Sequence, residues 1–282
     1  MTPEQYCRNK VLTTGSSLYY SLLYLPDDKK AAVTAIHAFC REASEVITAS
    51  DPAIAHSKLS WWRSEIDRCF NEQAQHPVSK ALQTPLQSWN LPQEYFHEIL
   101  DGVQMDLEQH QYQTFNELGL YCYRLSGTTG LLTAEIYGYQ HRDTLKYAQT
   151  LGTAFKLTHI LRNTPRDSQH GHLYIPTETL QKFDVTTNEL LQNTTPEKLQ
   201  ALFEYLTQQA SKYYHQAFEL LPNHDRYSQT PGLIQAAINL ALLSEIRKDN
   251  SRILNQRVSL TPVRKLWIAW KTNRREKRKH RA

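Results

Sequence analysis

Along nearly every long segment of this chain, apolar residues recur at helical spacing rather than alternating as they would in a strand. In "DDKKAAVTAIHAFCREASEVIT", Ala31, Ile36, Ala38, Phe39, Ala43 and the Val46–Ile47 pair follow an Asp-rich start that can cap a helix. The same period runs through "SKLSWWRSEIDRCFNE", "QEYFHEILDGVQMDLEQ", "FNELGLYCYRLSGTTGLLTAEIYGY", "RDTLKYAQTLGTAFKLTHILRN", "PEKLQALFEYLTQQASKYYHQAFELL" and "GLIQAAINLALLSEIRKD". Breaks are expected at Pro26, Pro52, Pro77, Pro92, Pro165, Pro176, Pro222 and Pro231. The pattern predicts one all-α domain of roughly eight to ten helices over 1–260, with a basic amphipathic C-terminal tail over 261–282.

Composition adds little to this except in charge. With 282 residues, 40% of them hydrophobic, the chain is long enough for a substantial buried core, and only 9 Gly argues against a turn-rich β protein. Cys7, Cys40, Cys69 and Cys122 are widely spaced and form no CxxC pair, so they read as small buried hydrophobes in a reducing cytosol. The N-terminus lacks a basic-then-apolar leader, and "PGLIQAAINLALLSEI" is too short and too interrupted to span a bilayer. The net charge of +4 hides an asymmetry: from Arg264 onward there are nine Lys/Arg against Glu276 alone, which leaves the body mildly acidic.

Three stretches look more specific than packing requires. In "HAFCREASEVIT", Arg41, Glu45 and Thr48 lie near one another on a helix, with Ser44 one turn before Thr48. In "YCYRLSGTTG", small residues admit either a second backbone or a ligand at close range. In "FKLTHILRNTPRDSQHGHLYIP", Lys156, His159, Arg162, Arg166, His170 and His172 face a single acid, Asp167. Lys156, His159, Asn163 and Arg166 share a face if the helix persists past Pro165, which disfavours a helical Thr164.

Those stretches, with "TGSSLYYSLLYLPDD", "KLSWWRSEI", "DGVQMDLEQHQYQTF" and "SLTPVRKLWIAWK", resemble the squalene/phytoene synthase family, most closely its bacterial presqualene diphosphate synthases. The resemblance implies an all-α isoprenoid-synthase bundle around a deep apolar cavity, and a peripheral membrane habit. It implies joining of two prenyl diphosphates, usually farnesyl diphosphate, head to head. That chemistry uses Mg²⁺ to bridge diphosphate oxygens to two Asp-xxx-Asp pairs on facing helices.

The chain departs from the family there. The first pair corresponds to Ser44 and Thr48, the second to Asn163 and Asp167, and of the acids around them Glu45 is retained while another is Arg166. The family's usual glutamine, asparagine and tyrosine nearby are Lys156, His159 and His37. Arg41 and Arg162, which meet diphosphate in relatives, are in place, as are Ser17, Tyr121, Tyr174 and the cavity-lining "GTTGLL".

The expected function is therefore binding of a prenyl or lipid (di)phosphate through Lys156, His159, Arg162, Arg166 and Arg41, or an assembly role, without standard condensation. No cofactor is expected on this reading. Mg²⁺ belongs to the alternative, an active prenyltransferase in which Glu45 and Asp167 hold a reorganised metal site. The tail "RKLWIAWKTNRREKRKHRA" suits an anionic membrane surface better than nucleic acid. A cytoplasmic protein, peripheral on the inner membrane face and with a possible protein partner, is expected.

Overall fold

The computed structural model describes residues 1–12, 16–49, 51–109, 111–169, 171–192, 194, 196–248 and 258–281. Among them are fourteen α-helices, and the extended structure is confined to an isolated bridge between Gln111 and Leu173. The helices are α1 (Pro3–Val11), α2 (Ser17–Ser21), α3 (Asp27–Glu45), α4 (Pro52–Phe70), α5 (Pro77–Ser88), α6 (Gln93–Glu108) and α7 (Phe115–Cys122). They continue with α8 (Thr128–Tyr137), α9 (Asp143–Gln169), α10 (Thr177–Lys182), α11 (Thr187–Gln192), α12 (Pro196–Leu220), α13 (Thr230–Lys248) and α14 (Pro262–Arg281). The excess over the expected number comes from the short α2, α10 and α11 and from a π-helical turn, Tyr123–Gly127, dividing α7 from α8.

Local chemistry sets the ends. Thr2 and Gln5 form a capping box on α1, Asp51 accepts the Ala53 N–H at 2.8 Å, and Thr114 accepts that of Glu117. Gly138, at φ 86°, closes α8 in a conformation that favours glycine. Pro165 does not end α9, which runs on to Gln169. Beside the proline, Thr164 Oγ1 donates to Ile160 O at 2.9 Å and Ser168 Oγ to Thr164 O at 2.6 Å, so side chains bond two of the local carbonyls.

Two apolar layers meet at α8, which gives Leu132, Ile136 and Tyr137 to one and Ala134 to the other. One joins α1 and α3–α6 through residues such as Phe39, Trp62 and Phe96; the other joins α7, α9, α12 and α13 through Tyr121, Leu157, Tyr214 and Ile234. The small residues of "SGTTG" prove to be a backbone crossing. A Cβ on Gly130 would stand 2.3 Å from Ala148 O, and one on Gly152 2.0 Å from Ser126 O. The crossing residues Ser126, Gly130, Ala148 and Gly152 themselves border a cavity. Buried Asp225 then fixes the start of α9, accepting from the Gln140 and His141 N–H groups and from Thr144 Oγ1.

α14 is packed on α13 and α2. Ala269, Thr272 and Glu276 form its buried face, and Glu276 accepts from Arg226 at 3.0 Å and Arg275 at 2.8 Å.

Candidate functional site

A cavity of about 340 Å³ lies among α3, α8, α9 and α13. One face of α9 supplies much of its wall, from Tyr147 through Gly152 and Phe155 to Asn163, some 24 Å of helix at ~1.5 Å per residue. The inner end is closed by buried Tyr147 and Gln229, with Gly232 beneath the tyrosine. The open end carries Ser44 from α3 and Lys156, His159, Arg162 and Asn163 from α9.

The middle is less polar than its composition suggests. Thr129 Oγ1 donates to Leu125 O at 2.6 Å and Thr133 Oγ1 to Gly130 O at 2.9 Å, so both hydroxyls are spent on their own helix. Cys40 meets Thr129 here, and burial pushes its thiol up to about 11. His37 also faces the cavity, and burial pushes its imidazole down to about 4, leaving it neutral at pH 7. His37 is thus no added cation, contrary to what its identity as a base suggests.

Lys156 is held by a network behind the wall. Its ammonium stands 4.5 Å from the ring centre of Tyr121 and 5.8 Å from that of Tyr174. Those rings stack at 5.3 Å and 13°. Both hydroxyls donate to buried Asp106, each at 2.7 Å. Burial, then the Asp106 charge, raises both phenols, so they remain donors. Asp167 is half-buried nearby, its carboxyl raised by burial and held back by Lys156 and Arg166.

Asp106 was not legible as a site residue. Its signal is an acid three positions after Val103, on the stripe that buries Phe96, Ile99 and Leu100.

The expected residues separate into groups. Lys156, His159, Arg162, Ser44, Asn163 and His37 share the cavity, and Arg162 Nε donates to Asn163 Oδ1 at 3.3 Å. Tyr121 and Tyr174 support Lys156 from behind instead of lining the cavity. Arg166, on the same face of α9, is exposed beyond the last lining residue. Arg41 turns away, donating to Lys10 O at 2.7 Å, and Ser17, at the start of α2, does not line the cavity. His170 lies outside the described residues.

Ser44 and Thr48 do not share a helical face, because α3 ends at Glu45 and Val46–Thr48 form a 3₁₀ turn. Thr48 Oγ1 donates to Glu45 O at 2.7 Å, and Thr48 and Glu45 line an outer groove with Trp61, Trp62 and His76.

This donor set does not fit a Mg²⁺ cluster, which takes hard oxygen ligands and needs carboxylate charge. Among the described residues no Asp or Glu lines the cavity, and no group of three or more His, Cys, Asp or Glu converges to hold an ion. Glu45 is instead paired with Lys10 at 2.6 Å and Arg41 at 3.6 Å.

Comparison with known proteins places this geometry. The 15-cis-phytoene synthase of Synechocystis is 28% identical over 282 residues, covering 94% of this chain and 84% of its own. The phytoene synthase of Mycobacterium tuberculosis is 29% identical over 263 residues, covering 91% and 86%. A dehydrosqualene synthase solved with a ligand superposes with a TM-score of 0.85 at 26% identity, over 98% of this chain and 97% of its own. A squalene synthase from Alicyclobacillus acidocaldarius shares the fold with a TM-score of 0.77 at 21% identity, over 88% and 94%. The squalene/phytoene synthase family model matches residues 11–264, and this chain belongs to that family.

Proposed function

We propose that the protein binds the phosphate or diphosphate head of an isoprenoid lipid through fixed cations and does not carry out the Mg²⁺-dependent head-to-head condensation. The observation that carries this is the open end of the cavity, where Lys156, His159 and Arg162 stand beside neutral Ser44 and Asn163, with no carboxylate among the described lining residues. An oxyanion there meets an ammonium and a guanidinium whose fork fits phosphate oxygens. The prenyl chain then runs inward past Phe155 and Leu151, over the hydrogen-bonded Thr129 and Thr133.

Ionising an allylic diphosphate takes far more charge stabilisation than holding one. In such chemistry metal ions supply most of it, gathered by carboxylates that this wall lacks. Since prenyl diphosphates partition into bilayers, the proposal includes a cytoplasmic protein working at the inner membrane face.

The test pairs farnesyl diphosphate binding in EDTA with a turnover assay in Mg²⁺, extracting both lipid product and diphosphate. Binding that EDTA leaves unchanged, with no product, is expected. Mg²⁺-dependent diphosphate release at an ordinary enzymatic rate would overturn the proposal in favour of an active presqualene diphosphate or squalene-type transferase. Absence of binding under both conditions would leave an assembly role.

A further inference from the structure

The outer face of α14 has no partner among the described residues and is built in two halves. Val263, Leu266, Trp267 and Trp270 follow one another at steps of 3, 1 and 3, so they form one stripe, with Val263 77% and Trp267 55% exposed. The same stripe continues one turn on as Arg274, Lys277, Arg278 and Arg281, all exposed. Lys271 lies 4.8 Å from the Trp267 ring centre and Arg274 5.2 Å from that of Trp270, so cations border the apolar half.

The opposite face fixes the helix in rotation. Ala269, Thr272 and Glu276 are buried, Arg226 pairs with Glu276, and His280 stacks on Tyr227 at 4.3 Å and 6°. The helix therefore presents the stripe outward without rearranging. Four large apolar groups held in water at one site are a marked exposure for a soluble surface.

We propose that this face docks on an anionic lipid bilayer. Charge complementarity selects the occupant, because the only acid of α14 is Glu276, buried and paired, so every charge on the outward face is positive. The tryptophans suit the headgroup level, where an indole has apolar surroundings for its ring and water for its N–H. No helix among the described residues is long and apolar enough to cross a membrane, so the contact is interfacial. The docking is independent of what the cavity binds.

The experiment uses the full chain with phosphatidylcholine vesicles, with and without about a third phosphatidylglycerol, read by flotation and by tryptophan quenching with brominated lipid. Wild type should bind the anionic vesicles only, more weakly as salt rises, with Trp267 and Trp270 quenched. The exposed-residue variant W267S/W270S should lose binding at least tenfold with near-ultraviolet circular dichroism otherwise native in its remaining bands. Variant K277Q/R278Q/R281Q should lose roughly a hundredfold, about fivefold for each cation. Equal binding to neutral vesicles, or unchanged binding by both variants, overturns the proposal. Tighter binding of single-stranded RNA through the same residues at the same salt also overturns it, and reassigns the face to nucleic acid.

Discussion

Replacing Lys156 by glutamine, a neutral side chain of similar length, is the sharpest perturbation of the cavity. In the unliganded protein the change removes an ammonium lying 4.5 Å and 5.8 Å from two tyrosine ring centres, contacts together contributing about 1–2 kcal/mol. It also removes the principal charge holding down the Asp167 pKa. That pKa is already raised by burial, so between the unfolded and folded values the folded state binds more protons and stability falls as pH rises. Without Lys156 the folded pKa climbs further, so the stability deficit of K156Q should grow from acid toward neutral pH. For a bound phosphate head, the lost charge-assisted hydrogen bond is worth about 1.5–3 kcal/mol, a weakening of roughly 10- to 150-fold. Isothermal titration with farnesyl diphosphate in EDTA measures the second effect, and thermal unfolding across pH the first. Affinity within about twofold of wild type in K156Q would refute the assignment of Lys156 to the phosphate.

His37, free of charge down to about pH 4 when folded, predicts a loss of stability as pH falls from about 6.5 to 4, since only the unfolded chain takes up the proton there. The loss should approach about 3 kcal/mol and be absent from His37→Phe in urea titrations across that window. Tyr147 has a buried hydroxyl without a hydrogen-bond partner among the described residues, so Tyr147→Phe should leave the unfolding free energy unchanged or raise it by about 1 kcal/mol, a result calorimetry can check. Restoring acids as S44D/N163D should not recruit Mg²⁺ by isothermal titration, because Lys156 and Arg162 share that wall; adding K156Q should yield weak uptake. A further Thr48→Asp should add nothing, since Thr48 lines the outer groove. Arg226→Met should destabilise the fold by about 3 kcal/mol by stripping buried Glu276 of one partner, and R226M/E276L should recover most of it in chemical denaturation.

The helices were legible because a buried face needs apolar groups every three or four residues and because proline stands at the start of most of them. What escaped the pattern depends on groups distant in sequence or on hydroxyls acting locally. The end of α3 at Glu45 follows from a single Thr48 hydroxyl turned onto the Glu45 carbonyl, and periodicity through Val46 and Ile47 continues across it without a signal. Persistence of α9 past Pro165 gave no signal either; around it Thr164 and Ser168 hydroxyls bond the Ile160 and Thr164 carbonyls. At the site, the stripe of Lys156, His159 and Asn163 was readable from helical spacing, whereas the exclusion of Arg166 depends on where the cavity stops. Arg41 keeps the position expected of a phosphate contact and yet serves α1, a choice made by the Lys10 carbonyl 31 residues earlier. The neutrality of His37 required its burial to be known, because the residue type alone suggests a cation near pH 6.

Ser44, Thr48 and Asn163, which the sequence resemblance sets at the family's acidic positions, are small polar residues that ask for no particular ligand. Lys156 is different in kind. A lysine acquired by drift on a cavity wall lowers its free energy by extending its stem until the ammonium reaches water. Here the ammonium is instead kept against two stacked rings, whose hydroxyls are both fixed by one buried carboxylate. Such a network is costly when incompletely satisfied and rigid when complete. It holds the charge of Lys156 at the cavity wall, with Arg162 and His159 beside it and apolar space beyond. A preorganised cation at the mouth of an apolar cavity has the right form for an anionic head on a hydrocarbon tail, because binding then loses little to ordering the side chain. Neutral Ser44 and Asn163 beside the basic Lys156, His159 and Arg162 suit that one requirement.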